Sequence, residues 1–462
     1  EINMDKKQLE KLVNQSLTTG ADFSEIYYEN TIRRKIVVLN SKVDSVDTNI
    51  LSGVGIRLAK GKEIVYSSTN DITLNNLEHK VDELKGIFHD RQIYKNVVLK
   101  EKNINTKQID YNNGMSDSDK KKYLLHIDEI ARNYSSKVEQ VNAMFIEEQK
   151  DVEIANHLGE YSKDKRYLFR LIIQIYVKDK EKRNMTYEAY GNNNGYSYLD
   201  GFDVYKEVKK LVDIAIEKLS AVACPTGKMP VVIGPGFGAV IIHEACGHAL
   251  EATSVAKNVS VLSNMIDQKV ANDKVTIIDD GSLEKTWGST YIDDEGNLTR
   301  KNILIENGVL KKYLIDELNT RLMDGNITGS GRRESYLYAP TSRMNNTYLA
   351  KGKDKIDDMI KSIEYGVYAK KMDGGSVYSN TGDFNFAIRD AYLIENGKVT
   401  KTLEGASLIG NTKDILNKIE MISDDLRIDT GYCGSVSGII PVTIGQPTIK
   451  VSEILVGGNS ND

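Results

Sequence analysis

The sequence predicts an α+β fold: an N-terminal α/β region with antiparallel strands, then a β-rich C-terminal domain built as a sheet or partly closed barrel. Two motifs carry the second half of that reading, ILIENGVLKKYLI (303–315) and AYLIENGKVTKTL (391–403). Each sets an Asn-Gly pair between apolar, strand-forming residues. Both residues of the pair tolerate positive φ, as a two-residue type I′ hairpin turn requires. No regular alternation of strand and helix runs along the chain, which disfavours a doubly wound parallel sheet. The 462 residues suffice for two or more domains with a sizeable core.

Taken in order, DKKQLEKLVNQSLTTG (5–20) places Leu9, Leu12, Val13 and Leu17 at helical spacing and stops at Gly20. The strand-like stretches FSEIYYEN, KIVVLN, GVGIRLA and EIVYSS follow. A helix is expected near 74–87, and another from the Ser116-Asp117-Ser118 cap region to about Ser135. QVNAMFIEEQ (140–149), DVEIANHL and YLFRLIIQIYV (167–177) read as long strands, and FDVYKEVKKLVDIAIEKLSA (202–221) as an amphipathic helix. The turn at Cys224-Pro225-Thr226-Gly227 is expected to divide the chain into domains 4–222 and 223–462. Beyond it, VVIGPGFGAVIIHEACGHALEA reads as a short strand, a glycine-rich turn and a buried helix, and most of the remainder as strand and loop.

Composition excludes several classes. With a formal net charge of −5, nothing globally basic points to nucleic acid, and mixed clusters such as KDKEKR (178–183) read as solvated surface. Three cysteines, Cys224, Cys246 and Cys433, are too few and odd in number for a disulfide framework, which points to a reducing compartment. No window reaches the ~18 apolar residues of a membrane span. The N-terminal EINMDKKQLEKLV lacks the apolar core of a signal peptide, and Met4 is a candidate start. A cytoplasmic protein that contacts neither membrane nor nucleic acid is expected.

The chemistry concentrates in HEACGHALE (243–251). The two histidines of the zinc-peptidase pattern H-E-x-x-H stand four residues apart; here His243 and His248 stand five apart. On a regular helix that step separates two side chains by about 140°. One extra residue in a turn, a π-bulge, restores a common face, and such bulges occur at functional sites. Gly247 would ease the distortion. A catalytic zinc takes three protein ligands and keeps a position for water. Candidates for the third are Glu251, Cys246 and Cys433. Glu251 would have to fold its carboxylate back, an intact helix would turn Cys246 away, and Cys433 lies in GYCGSVSG (431–438), where glycines permit close approach.

Together these residues resemble the TldD side of the TldD/PmbA family, once described as modulators of DNA gyrase and now regarded as metallopeptidases. HEACGH (243–248) and GYCGS (431–435) match that branch, as do YIDDEGN (291–297), GSGRRESY (329–336), SRMNNTY (342–348), TGDFNFAIRDAYLIENGK (381–398) and LIGNT (408–412). The resemblance implies zinc (Zn2+) held by His243, His248 and Cys433, with Glu244 as the catalytic carboxylate. It implies a zinc metallopeptidase acting on short or unfolded peptides, as a homodimer or as a heterodimer with a PmbA (TldE)-like subunit. Cys246 stands where relatives usually carry an aliphatic residue. Arg332, Arg333, Tyr336 and Arg343 are candidates for a second oxyanion donor. The competing reading is a non-catalytic peptide-binding or gyrase-modulating subunit with a structural zinc.

Overall fold

The computed structural model describes residues 4–90, 96–102, 104, 111, 114–378 and 380–457. The N-terminal half is built on long antiparallel strands. Phe23–Leu39 (β1) pairs with Lys42–Lys60 (β2) on one side and Val138–Asn156 (β3) on the other. Glu160–Asp179 (β4) continues from β3, and Glu63–Thr69 and Lys182–Asn192 extend the sheet beyond β2 and β4. The sequence stretches FSEIYYEN and KIVVLN, like QVNAMFIEEQ and DVEIANHL, are each parts of one strand. The polar runs between them do not break the ladder because they pair across it: Arg33 lies opposite Glu148 and Arg34 opposite Glu147, and opposite charges on facing residues stabilise such a pair.

The four expected N-terminal helices form. Lys6–Ser16 is capped by Asp5, and Asp117–Tyr134 by the Ser116 hydroxyl, which accepts from the Asp119 amide. Lys6–Ser16 and Leu74–Lys85 bury Leu9, Leu12, Val13, Leu77 and Val81 against β1 and β2. Asp117–Tyr134 and Val204–Glu217 bury Leu124, Ile127, Val208 and Leu211 against β3 and β4. Apolar residues at helical spacing meet a sheet face in both cases.

In the C-terminal half, Gly227–Ile233, Tyr365–Tyr378, Asp383–Glu395, Ser407–Asn411 and Ile449–Gly457 pair in a circuit that returns to its start, so the barrel is closed. Closure leaves no edge among these five strands. Beside the barrel stands a six-stranded sheet ordered Val309–Leu310, Lys301–Glu306, Ile277–Asp280, Asn346–Leu349, Gly438–Gln446, Arg427–Ser435. Both Asn-Gly turns appear as expected: Asn307, Gly308, Asn396 and Gly397 all have positive φ.

Buried charge joins the N-terminal sheet to the loops beside the six-stranded sheet. Arg57 donates to Glu25 at 2.6 Å and to Glu295 at 2.8 Å; Arg166 binds Asp164 at 2.8 Å and Asp294 at 2.6 Å; Arg333 closes the chain onto Glu25. Burial of such ions is tolerable only while each is paired. Arg57→Met leaves Glu25 short of one cation and takes a donor from Glu295, whose carboxyl burial already pushes well above its ordinary range. We expect a loss of about 3–5 kcal/mol, read as a lower urea midpoint; a change within 0.5 kcal/mol would show that these carboxylates do not depend on it.

Candidate metal centre

The strand Gly227–Ile233 leads through Gly234 and Pro235 into a helical turn. Gly236, at φ +73°, makes that entry, and a Cβ there would strike the Asp429 carboxylate. That carboxylate accepts from the Phe237 amide at 2.8 Å. Asp429 belongs to Arg427–Ser435, the strand that carries Cys433, so the start of the helix is tied to the strand facing it.

The turn then widens. Ile242–Gly247 is π-helical, as the five-residue histidine spacing requires, and His248–Leu250 tightens to 3₁₀. The two imidazoles meet edge to face with ring centres 5.2 Å apart. The role expected for Gly247 needs correction. Its φ and ψ, −57° and −52°, are ordinary helical values open to any residue. What excludes a side chain is Met344, whose Sδ would lie 2.0 Å from an added Cβ. The glycine serves close packing rather than backbone freedom.

Cys433 is brought to the histidines from 185 residues away, with Sγ 3.2 Å from His248 Nε2. The other nitrogen of that ring, Nδ1, lies 2.9 Å from Glu251 Oε2. Glu251 thus stands behind His248, as carboxylates behind metal-binding histidines do, and does not share the face that Cys433 occupies. The donor atoms of His243, His248 and Cys433 all lie within 4.8 Å of one another, the one such group of three or more among the described residues. Glu244 Oε2 approaches His248 Nε2 at 3.5 Å, and at 26% side-chain exposure Glu244 is the most open of the group.

The three thiols differ. Burial pushes Cys246 up to about 12 and Cys224 up to about 11. Burial also raises Cys433, but the charges and hydrogen bonds of His243 and His248 outweigh it and bring that thiol down to about 3. His248 is desolvated, which favours the neutral ring; Glu251 and Cys433 overcome this and raise it well above its ordinary value. A thiolate and two imidazoles make a donor set suited to zinc, and His243 Nδ1 is buried without a hydrogen-bond partner among the described residues. The residues therefore fit a zinc ion.

The residues weighed as oxyanion donors are engaged elsewhere. Arg332 donates to the carbonyls of Met344 and Pro441, Arg333 to Glu25 and the Asp294 carbonyl, and Arg343 to the Cys433 carbonyl. Tyr336 packs with Tyr27 and Val152 against the N-terminal sheet. Sequence reasoning missed Asp429 as the link to the Phe237 amide and Met344 as the wall behind Gly247; neither neighbourhood carries a local signal for it.

Comparison with known proteins agrees with this construction. The PmbA/TldA metallopeptidase domain 1 matches residues 24–87, the central domain 110–221 and the C-terminal domain 226–458. The chain belongs to the TldD/PmbA metallopeptidase family. It is 37% identical to the metalloprotease TldD homolog of Buchnera aphidicola subsp. Acyrthosiphon pisum over 97% of this chain and 95% of that one. It is 27% identical to the zinc metalloprotease TldD homolog of Saccharolobus solfataricus over 97% and 99%. In fold it is similar to the crystal structure of TldE from Thermococcus kodakarensis, with a TM-score of 0.79 at 18% identity over 98% and 100% of the chains. A Bacteroides thetaiotaomicron protein described as a modulator of DNA gyrase superposes with a TM-score of 0.76 at 19% identity, over 99% and 100%.

The packing of Gly247 is open to test. Gly247→Ala forces Met344 aside and is expected to cost about 1–3 kcal/mol, seen as a lower melting temperature. Combined with Met344→Ala, the loss should fall short of the sum of the two single losses, because each change supplies what the other lacks. Strict additivity would separate the glycine from Met344.

Proposed function

We propose that the protein is a zinc metallopeptidase that hydrolyses peptide bonds in short or unfolded polypeptides. The observation that carries this reading is the convergence of His243, His248 and a thiol brought down to about 3, with the carboxylate of Glu244 beside them. His243, His248 and Cys433 would hold the ion. When bound, zinc acts as a Lewis acid toward a peptide carbonyl and makes water a better acid. The thiolate leaves a divalent ion with one net positive charge, which suits a slow or selective enzyme.

Glu244 does the proton work. Its carboxylate takes a proton from the attacking water and passes it to the departing amine. Glu251 holds His248 Nδ1, so that Nε2 faces the thiol. Cys246, with its thiol pushed up to about 12 in the core, stays protonated and takes no part. Residues 4–222 and 223–462 form the two domains of this reading, and the family likeness favours a homodimer or a pair with a TldE-like subunit. No helix among the described residues is long and apolar enough to cross a membrane; a cytoplasmic setting remains part of the proposal, supported by the three free cysteines.

A non-catalytic subunit with a structural zinc, such as a gyrase modulator, is the competing reading. A closed structural site takes four protein ligands, and three gather here. The separating assay follows cleavage of an unfolded protein and of a stable folded domain. The unfolded substrate should be cut, the folded one spared, and a chelator should abolish the activity. Glu244→Gln keeps shape and zinc but cannot accept the proton, and should lose at least ~10²-fold in rate. A zinc-loaded Glu244→Gln with full activity would refute this mechanism, and zinc uptake with no cleavage by the unaltered protein would favour the structural reading.

The thiol assignment has its own check. Cys433→Ser replaces a thiolate by a neutral hydroxyl, so zinc content and activity should both collapse. Cys246→Ala only trims a core side chain and should retain stoichiometric zinc and most activity. Metal analysis of the two purified variants with the opposite pattern would reverse the assignment.

A further inference from the structure

Arg343 is fully buried between the two elements that bring the proposed ligands together. Its Nη2 donates to the Cys433 carbonyl at 2.6 Å, and its Nη1 to the Ser437 hydroxyl at 2.9 Å and the Gly438 carbonyl at 3.0 Å. Those three acceptors span the turn from Cys433 to Gly438. Its Nε points the other way, 4.0 Å from Glu251 Oε1. Neither of those two atoms has a hydrogen-bond partner among the described residues. A buried guanidinium therefore lies at ion-pair distance from a buried carboxylate oxygen, with no hydrogen bond between them.

The contacts run in a ring of three hydrogen-bond-range contacts and one longer ion pair, between Glu251 and Arg343. Cys433 Sγ meets His248 Nε2 at 3.2 Å; His248 Nδ1 meets Glu251 Oε2 at 2.9 Å; Glu251 Oε1 faces Arg343 Nε; Arg343 Nη2 returns to the Cys433 carbonyl. Glu251 stands just past the end of the histidine turn and Cys433 lies on the facing strand. Within the ring, the path through Arg343 is the one that bypasses the would-be ligand atoms. A guanidinium suits the task because its donors are fixed in one plane and reach opposite sides at once.

We infer that Arg343 is a positioning residue of the metal centre: it sets the distance between the Cys433 strand and His248 by hydrogen-bonding the strand's turn with one end and setting its charge beside the Glu251 carboxylate with the other. The inference rests on the metal reading above. It assigns Arg343 a task other than contacting substrate, and it makes Glu251 half of a two-residue device. Arg343→Lys keeps the charge but offers one compact ammonium in place of the fork, so it cannot serve the turn and Glu251 together. Arg343→Met keeps length and removes every donor.

The test measures zinc affinity of the full chain by competition with a chelator of known affinity. Absorbance of the cobalt-loaded protein, where a thiolate ligand gives a charge-transfer band, provides a second readout. Arg343→Lys, Arg343→Met and Glu251→Gln should each weaken zinc roughly 10- to 100-fold and diminish the cobalt–thiolate band, while circular dichroism and cooperative melting persist. The double variant Arg343→Lys with Glu251→Gln should lose little more than either single change, since both break one device. Should Arg343→Met fail to fold, the Lys variant and the double variant decide the matter. Unchanged zinc affinity and an intact cobalt band in folded Arg343→Lys, or fully additive losses in the double variant, would reduce Arg343 to a stabiliser of the turn and overturn the inference. Failure of the unaltered protein to take up zinc would overturn the metal reading, and this one with it; tight zinc in both the unaltered protein and the variants overturns this one alone.

Discussion

A five-residue step along an ordinary helix would leave His243 and His248 about 140° apart, and no third ligand could then serve both. The widened turn over Ile242–Gly247 removes that separation, and the rest of the centre is arranged around it. Such a turn leaves a bulge that must be filled. Met344 lies against Gly247, leaving no room for a side chain there. Met344 is held in turn by its carbonyl, which accepts from Arg332. The 3₁₀ turn that follows sets Glu251 behind His248 rather than beside it. Helical distortion, packing and ligand orientation thus form one connected arrangement.

The segments 279–297 and 331–347 are largely buried but only partly paired in ladders, so many of their backbone groups need other partners. Short polar side chains supply them. Asp293 accepts from the amides of Glu295, Asn297 and Gly331; Asn345 and Asn346 donate to the carbonyls of Gly288 and Asp280; Asp279 accepts from the Asn345 amide and the Thr347 hydroxyl. This accounts for the density of Asp, Asn, Thr and Gly in YIDDEGN and SRMNNTY. The arginines of GSGRRESY do the same on a larger scale, and one of them reaches across to the N-terminal sheet through Glu25.

Electrostatics then separates three chemically identical thiols. For Cys246 and Cys224 burial alone acts, and it keeps them protonated. Cys433 is buried as well, yet two imidazoles, one near each end of the widened turn, reverse the sign of its shift. The acidity of a buried thiol is therefore decided by where a strand delivers the sulfur, a property of position rather than of residue type.

Local chemistry was legible before any fold was known. The HEACGH spacing demanded a distorted helix, because a fixed rotation per residue allows no other way to face both rings inward. The Asn-Gly pairs demanded hairpins through their positive φ, and Ser116 announced its helix by its cap. The long strands were legible only in pieces, since Arg33 and Arg34 look like a break until Glu148 and Glu147 are placed opposite them. Barrel closure depends on Tyr365–Tyr378 pairing with Gly227–Ile233, more than 130 residues earlier, a match that no short-range pattern encodes. Spacing alone left Glu251, Cys246 and Cys433 open for the same reason. Periodicity describes neighbours within one element; which face of a distant strand meets that element is set by packing of the whole chain, and there the tertiary structure alone brought Cys433 to His248 and placed Arg343 between them.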